Sequence, residues 1–415
     1  MPISLTTLGE TVRRVYDPKI AQGVYDKSPL FNMIEKEVVD TSLNPGADAR
    51  VNIFKSYGAG ETSFTEGGNF NDAGDLSYAT ATYTIKNLAY KVKMTGTALA
   101  STQEGQPAKS AFKAINEAVK RGVEALGLAN ERQLHGWGNA YIAQCGTTTA
   151  SATVVLNTGG GDYDGKQAIA RGWLAPGRKI DIGTSINETS VVADATILSV
   201  DASAGTIVID SAVTTSSSHF ISVQNARFGE TSYEMSGLAQ IVDSNDSFGT
   251  IGGLAYTDGP HWVSPENSTD TSLTLPVIRD LERSIRQSVG VSPDVIVCGY
   301  KQAAKIQALA EAQLEWTQTS AMKFGDPFEG RYQVLEGKKI VPSHMCQDHR
   351  VYLLSTQDFV LLEQNKPSWR PPTVNEAQMF YVNPDADLVS GVIRHYRQLG
   401  VKRRCTSGVF NNLTA

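Results

Sequence analysis

The sequence predicts a mixed α+β protein with a long β ribbon, a long helix and an inserted all-β module. Strand-like alternation covers residues 49–58 and 76–97, with turn-forming residues between the two stretches. Apolar residues then recur at helical spacing over residues 107–135, and residues 145–228 carry short strands at regular intervals. A chain of 415 residues exceeds the usual size of one domain, so several compact parts are expected.

The composition is that of a folded protein with a mildly acidic surface. Hydrophobic residues make up 41% and charged residues 19%, with a mean hydropathy of -0.22. A net charge of -6 excludes the broad cationic field of a tight non-specific DNA binder, so any contact with DNA should be weak. The densest basic stretch either faces phosphate or forms a solvated or salt-bridged face. It consists of Arg394, His395, Arg397, Lys402, Arg403 and Arg404.

The cysteines and the N-terminal residues bear on the cellular compartment. Cys145, Cys298, Cys346 and Cys405 form no CxxC pair, which argues against a disulfide framework and against a structural zinc site. The first residues, MPISLTTLGETVRRVYDPK, contain no apolar core of a signal peptide, and no later window has the apolar length of a membrane span. We therefore expect a protein of a reducing cytoplasm.

The first hundred residues predict extended segments that reach beyond one domain. Breakers such as Pro18, Gly23 and Pro29 interrupt residues 1–47, which should form an arm stabilised by neighbouring molecules. A strand over residues 76–97 would be far longer than the usual ~5–6 residues. Its distal half, residues 77–84, has little apolar content on either face. The ribbon should therefore project and pack on another subunit.

The segment 107–135 has the strongest periodicity in the sequence. Pro107 suits a first helical position, and the helix should be roughly 43 Å long at 1.5 Å per residue. Lys113–Glu117 and Lys120–Glu124 are expected as ion pairs on its exposed face. Ile115, Val119 and Leu126 are expected to face a sheet. The apolar positions at helical spacing are Phe112, Ile115, Val119, Val123, Leu126 and Leu134.

Residues 145–228 change in character and become rich in Thr, Ser, Ala, Gly and Val. Strands are predicted at 179–182, 190–200, 206–210 and 219–223, which suggests a small barrel or sandwich. The three glycines at 159–161 read as a flexible junction into this module. Its predicted core consists of Ile180, Ile182, Ile197, Val200, Ile207 and Ile209.

The second half of the chain predicts a compact α+β domain. Ile278, Leu281, Ile285 and Val289 lie at helical spacing, with Gly290 as the stop signal. Further elements are a buried strand at 294–298, a helix at 301–316 and strands at 350–355 and 358–362.

Three motifs contain residues that could form a catalytic, phosphate-binding or metal site, but none of them has the pattern that such a site requires. His344, Cys346 and His349 in SHMCQDH offer metal donors, but their spacing matches no established zinc pattern, so a turn leading into a strand is favoured. The glycines at 159–161 lack the context of a phosphate-binding loop. Glu234 stands where the GxSxG motif around Ser236 would need glycine. We predict no catalytic residue, no cofactor-binding residue, no metal ligand and no cofactor.

The order of arm, ribbon, long helix, α+β domain and return strand resembles the major capsid proteins of tailed bacteriophages, which have the Hong Kong 97-type fold. The helix at 107–135 resembles their spine helix and residues 49–99 their extended loop. The phrases FGTIGGLAYTDGPHW and LTLPVIRDLERSIRQSVGVSPDVIVCGY are similar in cadence to the second half of such proteins. The resemblance implies the following division: arm 1–48, extended β loop 49–100, spine helix and peripheral domain 101–144, inserted β-rich domain 145–228, peripheral continuation 229–290, axial domain 291–375 and return to the peripheral domain 376–415.

The resemblance implies a structural subunit rather than an enzyme. Copies of the chain would form the hexamers and pentamers of an icosahedral shell around a phage dsDNA genome, assembled in the bacterial cytoplasm and retained in the virion capsid. Implied partners are other copies of the chain, a separate scaffolding protein, a portal protein, a possible decoration protein and weakly bound DNA, with no membrane. Some members cross-link a ribbon lysine to an asparagine of a neighbour. Lys86, Lys91 and Lys93 lie in the corresponding segment, but without a partner motif we do not predict that bond.

Two alternatives remain open at this point. An encapsulin-like compartment shell has the same fold but encloses cargo proteins. An enzyme or a carbohydrate-binding protein with residues 145–228 as its binding module is disfavoured by the absence of site motifs.

Overall fold

The computed structural model describes residues 19–38, 48–56, 63–68, 77–95, 108–183, 190–228, 231–247, 249–311, 333–335, 337–369, 381–383 and 388–414. The helices are α1 (residues 19–26), α2 (Pro29–Met33), α3 (Ala108–His135), α4 (Gly165–Ala170), α5 (Leu238–Ile241), α6 (Leu275–Val289) and α7 (Tyr300–Glu311). The strands are β1 (Glu35–Val38), β2 (Asp48–Ser56), β3 (Ser77–Thr84), β4 (Lys86–Thr95), β5 (Tyr141–Gln144), β6 (Thr148–Val155), β7 (Lys179–Gly183), β8 (Ser190–Asp201), β9 (Thr206–Thr215), β10 (Phe220–Val223), β11 (Arg227–Phe228), β12 (Thr231–Ser232), β13 (Glu266–Asn267), β14 (Val295–Cys298), β15 (Gln333–Leu335), β16 (Lys338–Pro342), β17 (Val351–Leu354), β18 (Phe359–Trp369), β19 (Tyr381–Asn383), β20 (Leu388–Val401) and β21 (Gly408–Phe410).

The chain divides into two compact units. The first unit comprises Met1–Ala49, Thr84–Leu134 and Val360–Leu399. The second comprises Arg50–Tyr83, His135–Phe359 and Gly400–Ala415. Each unit has its own sheet and its own apolar core, which fits the mixed α+β class predicted from the sequence.

The first unit is a sheet covered by α1 and α3. Strand β18 pairs with β1 in parallel and lies next to β20, and β20 pairs antiparallel with β4 and β19. The predicted helix is confirmed as α3, with Val119 and Leu126 buried and Lys120 exposed. The side chain of Ile115 lies outside the described residues. The core consists of Ile20, Val24, Val92, Val119, Leu126, Trp369 and Ile393.

Two features of the first unit differ from expectation. Residues 19–38 of the arm do not depend on a neighbour, because Ile20, Val24, Leu30 and Phe31 are buried in this chain's own fold. On α3, Arg121 binds both Glu117 (3.0 Å) and Glu124 (3.5 Å), so Glu124 is paired with an arginine rather than with the predicted Lys120.

A polar cluster lies buried beside this core. The carboxylate of Glu363 accepts hydrogen bonds from the Tyr25 hydroxyl (2.5 Å) and from His395 Nε2 (2.8 Å). Asn130 Nδ2 donates to His395 Nδ1 at 3.3 Å, so the two ring nitrogens have the roles of a neutral imidazole. Burial lowers the pKa of His395 to about 4, although the hydrogen bond to Glu363 opposes the shift. The histidine is therefore uncharged at neutral pH.

The predicted strand over residues 76–97 is in fact two strands with different partners. Strand β3 pairs with β2 to form a two-stranded ribbon, whereas β4 pairs with β20 in the sheet of the first unit. The break falls at Ile85, which is buried. Only β2 and β3 therefore form the ribbon.

The second unit is organised around a six-stranded mixed sheet in the order β13-β21-β17-β14-β16-β15. Strand β14 pairs in parallel with β16 and antiparallel with β17, and all four of its residues are buried. Helices α6 and α7 contribute Ile278, Leu281, Ile285 and Ile306 to the core of this sheet. The predicted elements in this half are confirmed as α6, β14, α7, β17 and β18, and Gly290 ends α6 in the left-handed conformation (φ 70°).

The last 40 residues contribute to two sheets. Residues 388–399 pair in the sheet of the first unit, and β21 lies in the six-stranded sheet between β13 and β17. The edge strand β13 and helix α6, which fall within the predicted peripheral continuation 229–290, also belong to this sheet and its core.

Residues 141–223 form a closed antiparallel barrel within the second unit. The strand order is β5-β10-β7-β8-β9-β6, and a bridge between Cys145 and Leu156 joins the two end strands. Two backbone bonds complete this seam, from Gly146 N to Val155 O (2.7 Å) and from Asn157 N to Gln144 O (2.9 Å). The predicted strands and barrel architecture are thus confirmed. Of the predicted core, Ile180, Ile182, Ile197, Ile207 and Ile209 are buried together, and Val200 packs against them half-buried.

The barrel also uses residues from outside its own segment. Met345 belongs to the barrel core and accepts a hydrogen bond from Trp173 Nε1. Arg350 holds Asp162 through two bonds of 2.7 and 2.9 Å. Burial, the largest single effect, would raise the pKa of Asp162, but the charge of Arg350 and the hydrogen bonds from His349 and Arg350 together hold the pKa well below its usual range. The barrel is therefore fixed to residues 345–350 by an ion pair and an apolar contact.

We predict that Leu126→Ala destabilises the first unit far more than Lys120→Ala. Leu126 is 2% exposed, and removing a buried leucine side chain typically costs about 2–5 kcal/mol because a cavity remains. Lys120 is exposed and lies six residues earlier on the same helix. Removing its side chain should therefore change the free energy of unfolding by no more than about 0.5 kcal/mol. Chemical denaturation monitored by circular dichroism measures both values. Equal losses would contradict the assigned face of α3.

We also predict that stability falls as the pH decreases from about 6.5 to about 4. The unfolded chain takes up a proton on His395 near pH 6.5, whereas the folded chain resists protonation until about pH 4, so acid favours unfolding across this window. His395→Gln should make the decline shallower. The substitution should not abolish the decline in stability, because burial also lowers the pKa of His135, to about 3. Denaturation midpoints from pH 7 to 4 provide the test, with His219→Gln as the control for loss of one histidine. An unchanged slope in His395→Gln would contradict the assignment.

Candidate assembly surfaces

The β2–β3 ribbon is anchored at its base in the second unit. Tyr83 is 2% exposed, and its hydroxyl donates to the carbonyl of Val401 (3.1 Å) and accepts from the Val401 amide (3.2 Å). Thr82 N donates to Gly252 O at 2.9 Å, and Ala81 beside it is fully buried. The part of the ribbon nearest β4 is therefore a fixed element of the fold, contrary to the expectation that residues 77–84 bury little.

Two aromatic side chains are exposed, one on the ribbon and one in the segment between its strands. Tyr78 on β3 is 62% exposed, and Phe64, in the turn-rich segment 63–68, is 58% exposed. Thr80 Oγ1 donates to Asn52 Oδ1 at 3.1 Å and links the two strands on their exposed side. A large aromatic side chain buries roughly 150–250 Å² when it is covered, so these positions suit contact with another molecule. The sequence pattern singled out neither residue.

The three lysines considered for cross-linking lie on β4, in the five-stranded sheet, and not on the ribbon. Lys86 is opposite Arg397, Lys91 opposite Val392 and Lys93 opposite Ser390 in the pairing with β20. Burial lowers the pKa of Lys86. Their placement within a sheet gives no support to a ribbon cross-link.

The basic stretch near the C-terminus is largely internal. His395, Arg397 and Arg404 are at most 1% exposed. Arg397 donates to Gln133 Oε1 (2.7 Å), and Arg404 binds Asp246 (2.6 Å). Arg403 Nε donates to Asp358 Oδ1 at 2.8 Å. Of the two readings of this stretch, the structure supports salt bridging, and the reading that it faces DNA phosphate is wrong for the buried arginines.

The residues of the SHMCQDH segment do not converge on a metal site. His349 Nε2 lies 3.1 Å from Asp162, and the Cys346 thiol is buried beside backbone carbonyls. Among the residues that the structure describes, no group of three or more His, Cys, Asp and Glu side chains is placed to hold a metal ion. The segment serves instead to hold the barrel, since Arg171 binds both the Cys346 carbonyl (2.8 Å) and Asp348 (3.2 Å).

The four cysteines are buried and none forms a disulfide, and burial makes Cys145, Cys298 and Cys405 poor nucleophiles. Burial raises the pKa of Cys145 to about 12 and that of Cys405 to about 11, so both remain protonated at neutral pH. Within the described ranges, no helix is long and apolar enough to span a bilayer.

Comparison with known proteins points to one class. Residues 217–376 match the family model of the SU10 major capsid protein. No curated protein matches this sequence. The structure of the cyanophage A-1(L) capsid has a TM-score of 0.55 with 12% identity, and the match covers 94% of this chain and 93% of that chain.

Two other solved shells show lower similarity. The SrpI encapsulin of Synechococcus elongatus has a TM-score of 0.43 with 11% identity over 92% of this chain and 86% of that chain. The capsid of a native GTA particle has a TM-score of 0.47 with 8% identity over 94% and 91%. The shared fold is therefore assigned from the cyanophage capsid, whose TM-score exceeds 0.5.

The cyanophage capsid and this chain share the fold that the order of sequence elements implied, the Hong Kong 97-type fold. The family match over residues 217–376 and this fold both agree with the resemblance drawn from the sequence, that of a tailed-phage major capsid protein.

Proposed function

We propose that copies of this chain form the hexamers and pentamers of an icosahedral shell that encloses a phage dsDNA genome. The observation that carries the proposal is the ribbon, which is fixed at Tyr83, together with the exposed side chains of Tyr78 on β3 and of Phe64 in the segment between the two strands. A rigid base with an exposed aromatic extension lets one subunit bury apolar surface on the next, and repeated contacts of one kind close into a symmetric assembly. The shell requires no catalysis, so we propose a purely structural role.

The division of labour within the subunit follows from the resemblance. We propose that residues 291–375, with β21 added to their sheet, lie around the capsomer axis, and that residues 49–100 and 101–144 lie toward its periphery. We place the barrel formed from residues 145–228 on the outer surface of the shell, where an added module meets least obstruction. Its ion pair to Arg350 would keep it in one orientation there.

The remaining partners are those that a tailed-phage shell needs. We propose a separate scaffolding protein, a portal protein and possible decoration proteins, with assembly in the bacterial host cytoplasm. The mild acidity of the chain supports weak, local contact with the packaged DNA rather than tight binding.

We predict that replacing both exposed ribbon aromatics blocks assembly and leaves the subunit folded. Phe64→Ser with Tyr78→Ser removes apolar surface that is more than half exposed in the subunit, so circular dichroism and thermal unfolding should hardly change. Shells and capsomers should be lost in negative-stain electron microscopy and light scattering. The matched control is Leu198→Ser with Val155→Ser on the barrel, whose side chains are 57% and 40% exposed. Normal shells from the ribbon variant would contradict the role of the ribbon.

We further predict that particles purified from infected host cells contain nuclease-protected dsDNA. Extraction after nuclease treatment, with empty shells of the same chain expressed alone as the control, measures the protected nucleic acid per particle. Particles that contain cargo protein and no protected DNA would instead support an encapsulin-like compartment.

A further inference from the structure

Helix α6 has one apolar face and one face rich in arginine. Leu275, Ile278, Leu281 and Ile285 are buried in the core of the second unit. The other side carries Arg279, Arg283 and Arg286, which are spaced by four and three residues and therefore lie in one row along the helix. The side chains of Arg283 and Arg286 are 67% and 57% exposed.

A shallow concavity of about 310 Å³ lies beside this row. Its lining consists of charged side chains, namely Arg279, Glu282, Arg283, Arg286 and Lys338. The buried carboxylate of Glu282 binds Lys338 at 2.7 Å and Arg286 at 2.7 Å, so one negative charge is shared between two cations. Lys338 itself is buried and cannot turn away. The concavity therefore has an excess of positive charge that its own carboxylate does not neutralise.

The exposed ion pair on this face is weak enough to be replaced. Arg283 binds Asp280 at 2.7 Å, but both side chains are more than 60% exposed. Such surface pairs are weak, because water and salt screen them. Among the six residues named here, four are cationic and two are anionic, on a chain whose net charge is -6. The row is thus a local reversal of the overall sign.

We propose that this arginine row binds the phosphate backbone of packaged double-stranded DNA. The inference rests on the proposed function, since the packaged genome is its ligand. Seven residues separate Arg279 from Arg286, which is about 10 Å along the helix axis at 1.5 Å per residue. That distance equals the rise of about three nucleotides of one strand along the duplex axis, at 3.4 Å each. The row can therefore reach neighbouring phosphates.

The chemistry of the row suits phosphate without reading sequence. A guanidinium group presents paired N–H donors that match two phosphate oxygens, which an ammonium group does not. Gln287, the residue after Arg286, is exposed and adds a neutral donor of the kind that positions a protein on the backbone. An acidic polypeptide would also be attracted, but a straight row of cations on a rigid helix fits the regular backbone of a duplex better than an irregular chain.

The test measures binding of a fluorescent dsDNA fragment of random sequence to the full-length protein, by anisotropy across a series of salt concentrations. The test variant is Arg279→Gln, Arg283→Gln and Arg286→Gln together. The control variant, Lys93→Gln, Lys120→Gln and Arg121→Gln, removes the same charge from exposed positions elsewhere. A reduced variant, Arg279→Gln with Arg283→Gln, leaves the Glu282 pairs intact and covers the case in which the triple variant does not fold.

The parent and the control should bind with a negative slope of log affinity against log salt. The arginine variant should bind at least tenfold more weakly at low salt, with a slope reduced by about 2–3, since each lost phosphate contact removes about 0.9. The reduced variant lacks two of the three arginines, so its slope should change by roughly two thirds as much as that of the triple variant. Equal losses in the test and control variants, or no DNA binding by the parent at low salt, would overturn the proposal.

Two further arms separate neighbouring explanations. Binding of a fluorescent polyglutamate peptide is measured on the same proteins, and row-dependent binding of the peptide without binding of DNA would overturn the proposal in favour of an acidic protein partner. Electron microscopy of the same preparations records shell formation independently. Failure to form shells would count against the proposed function, whereas normal shells with an unchanged salt slope would overturn the arginine row alone.

Discussion

The close approach of α3 to its neighbours is the constraint on which the first unit depends. A Cβ atom added to Gly122 would lie 2.8 Å from the ring of Tyr90, and one added to Gly127 would lie 2.9 Å from Cβ of Lys27. Glycine at these two positions lets the helix contact β4 on one side and the chain after α1 on another. Any larger residue would push the helix outward and open the core around Val119 and Leu126. The position of the arm, which has no other core of its own, follows from this fit.

The same unit holds a connected group of buried polar side chains. Glu363, His395, Tyr25 and Asn130 come from four different elements and are linked by three hydrogen bonds. Because each bond joins two different elements, the geometry of the sheet, of α1 and of α3 is specified jointly. Apolar packing brings these elements together, and the polar cluster selects one arrangement among those that packing allows.

The parts predicted well from the sequence are those whose burial follows one period. Helix α6 and the barrel strands keep one face buried, and α3 does so at Val119 and Leu126, so spacing alone reveals them. The division of residues 76–97 into β3 and β4 was missed although the alternation changes phase there. The buried or half-buried positions are odd-numbered up to Ile85 and even-numbered from Leu88 to Val92, so the two halves were joined into one strand only because both have a period of two. The pairing of β21 in the six-stranded sheet could not be predicted, since it is three residues long and pairing partners are not visible in a short apolar run.

The basic stretch looks like one surface cluster when its charges are counted along the chain. It does not when the residues are assigned to the two faces of the strand. Ile393, His395, Arg397, Leu399 and Val401 alternate, and all five are buried. Their spacing was a signal that the histidine and the arginine belong to an internal face. Exposed Phe64 and Tyr78 gave no comparable signal, because a single aromatic residue between polar neighbours has the same pattern whether it is covered or not.

The distribution of the basic residues connects the fold to the behaviour expected of a shell. Arg350, Arg397 and Arg404 are used internally to hold the barrel, the sheet and the loop at Asp246, so they are not available for contact with another molecule. The chain as a whole is mildly acidic, so copies of it would not attract DNA over a whole surface. Any such attraction would have to come from local groups, each weak in one subunit and multiplied by the copies that face the same ligand. Contacts of this kind break and re-form one at a time, whereas a strongly cationic surface would hold an anionic ligand throughout.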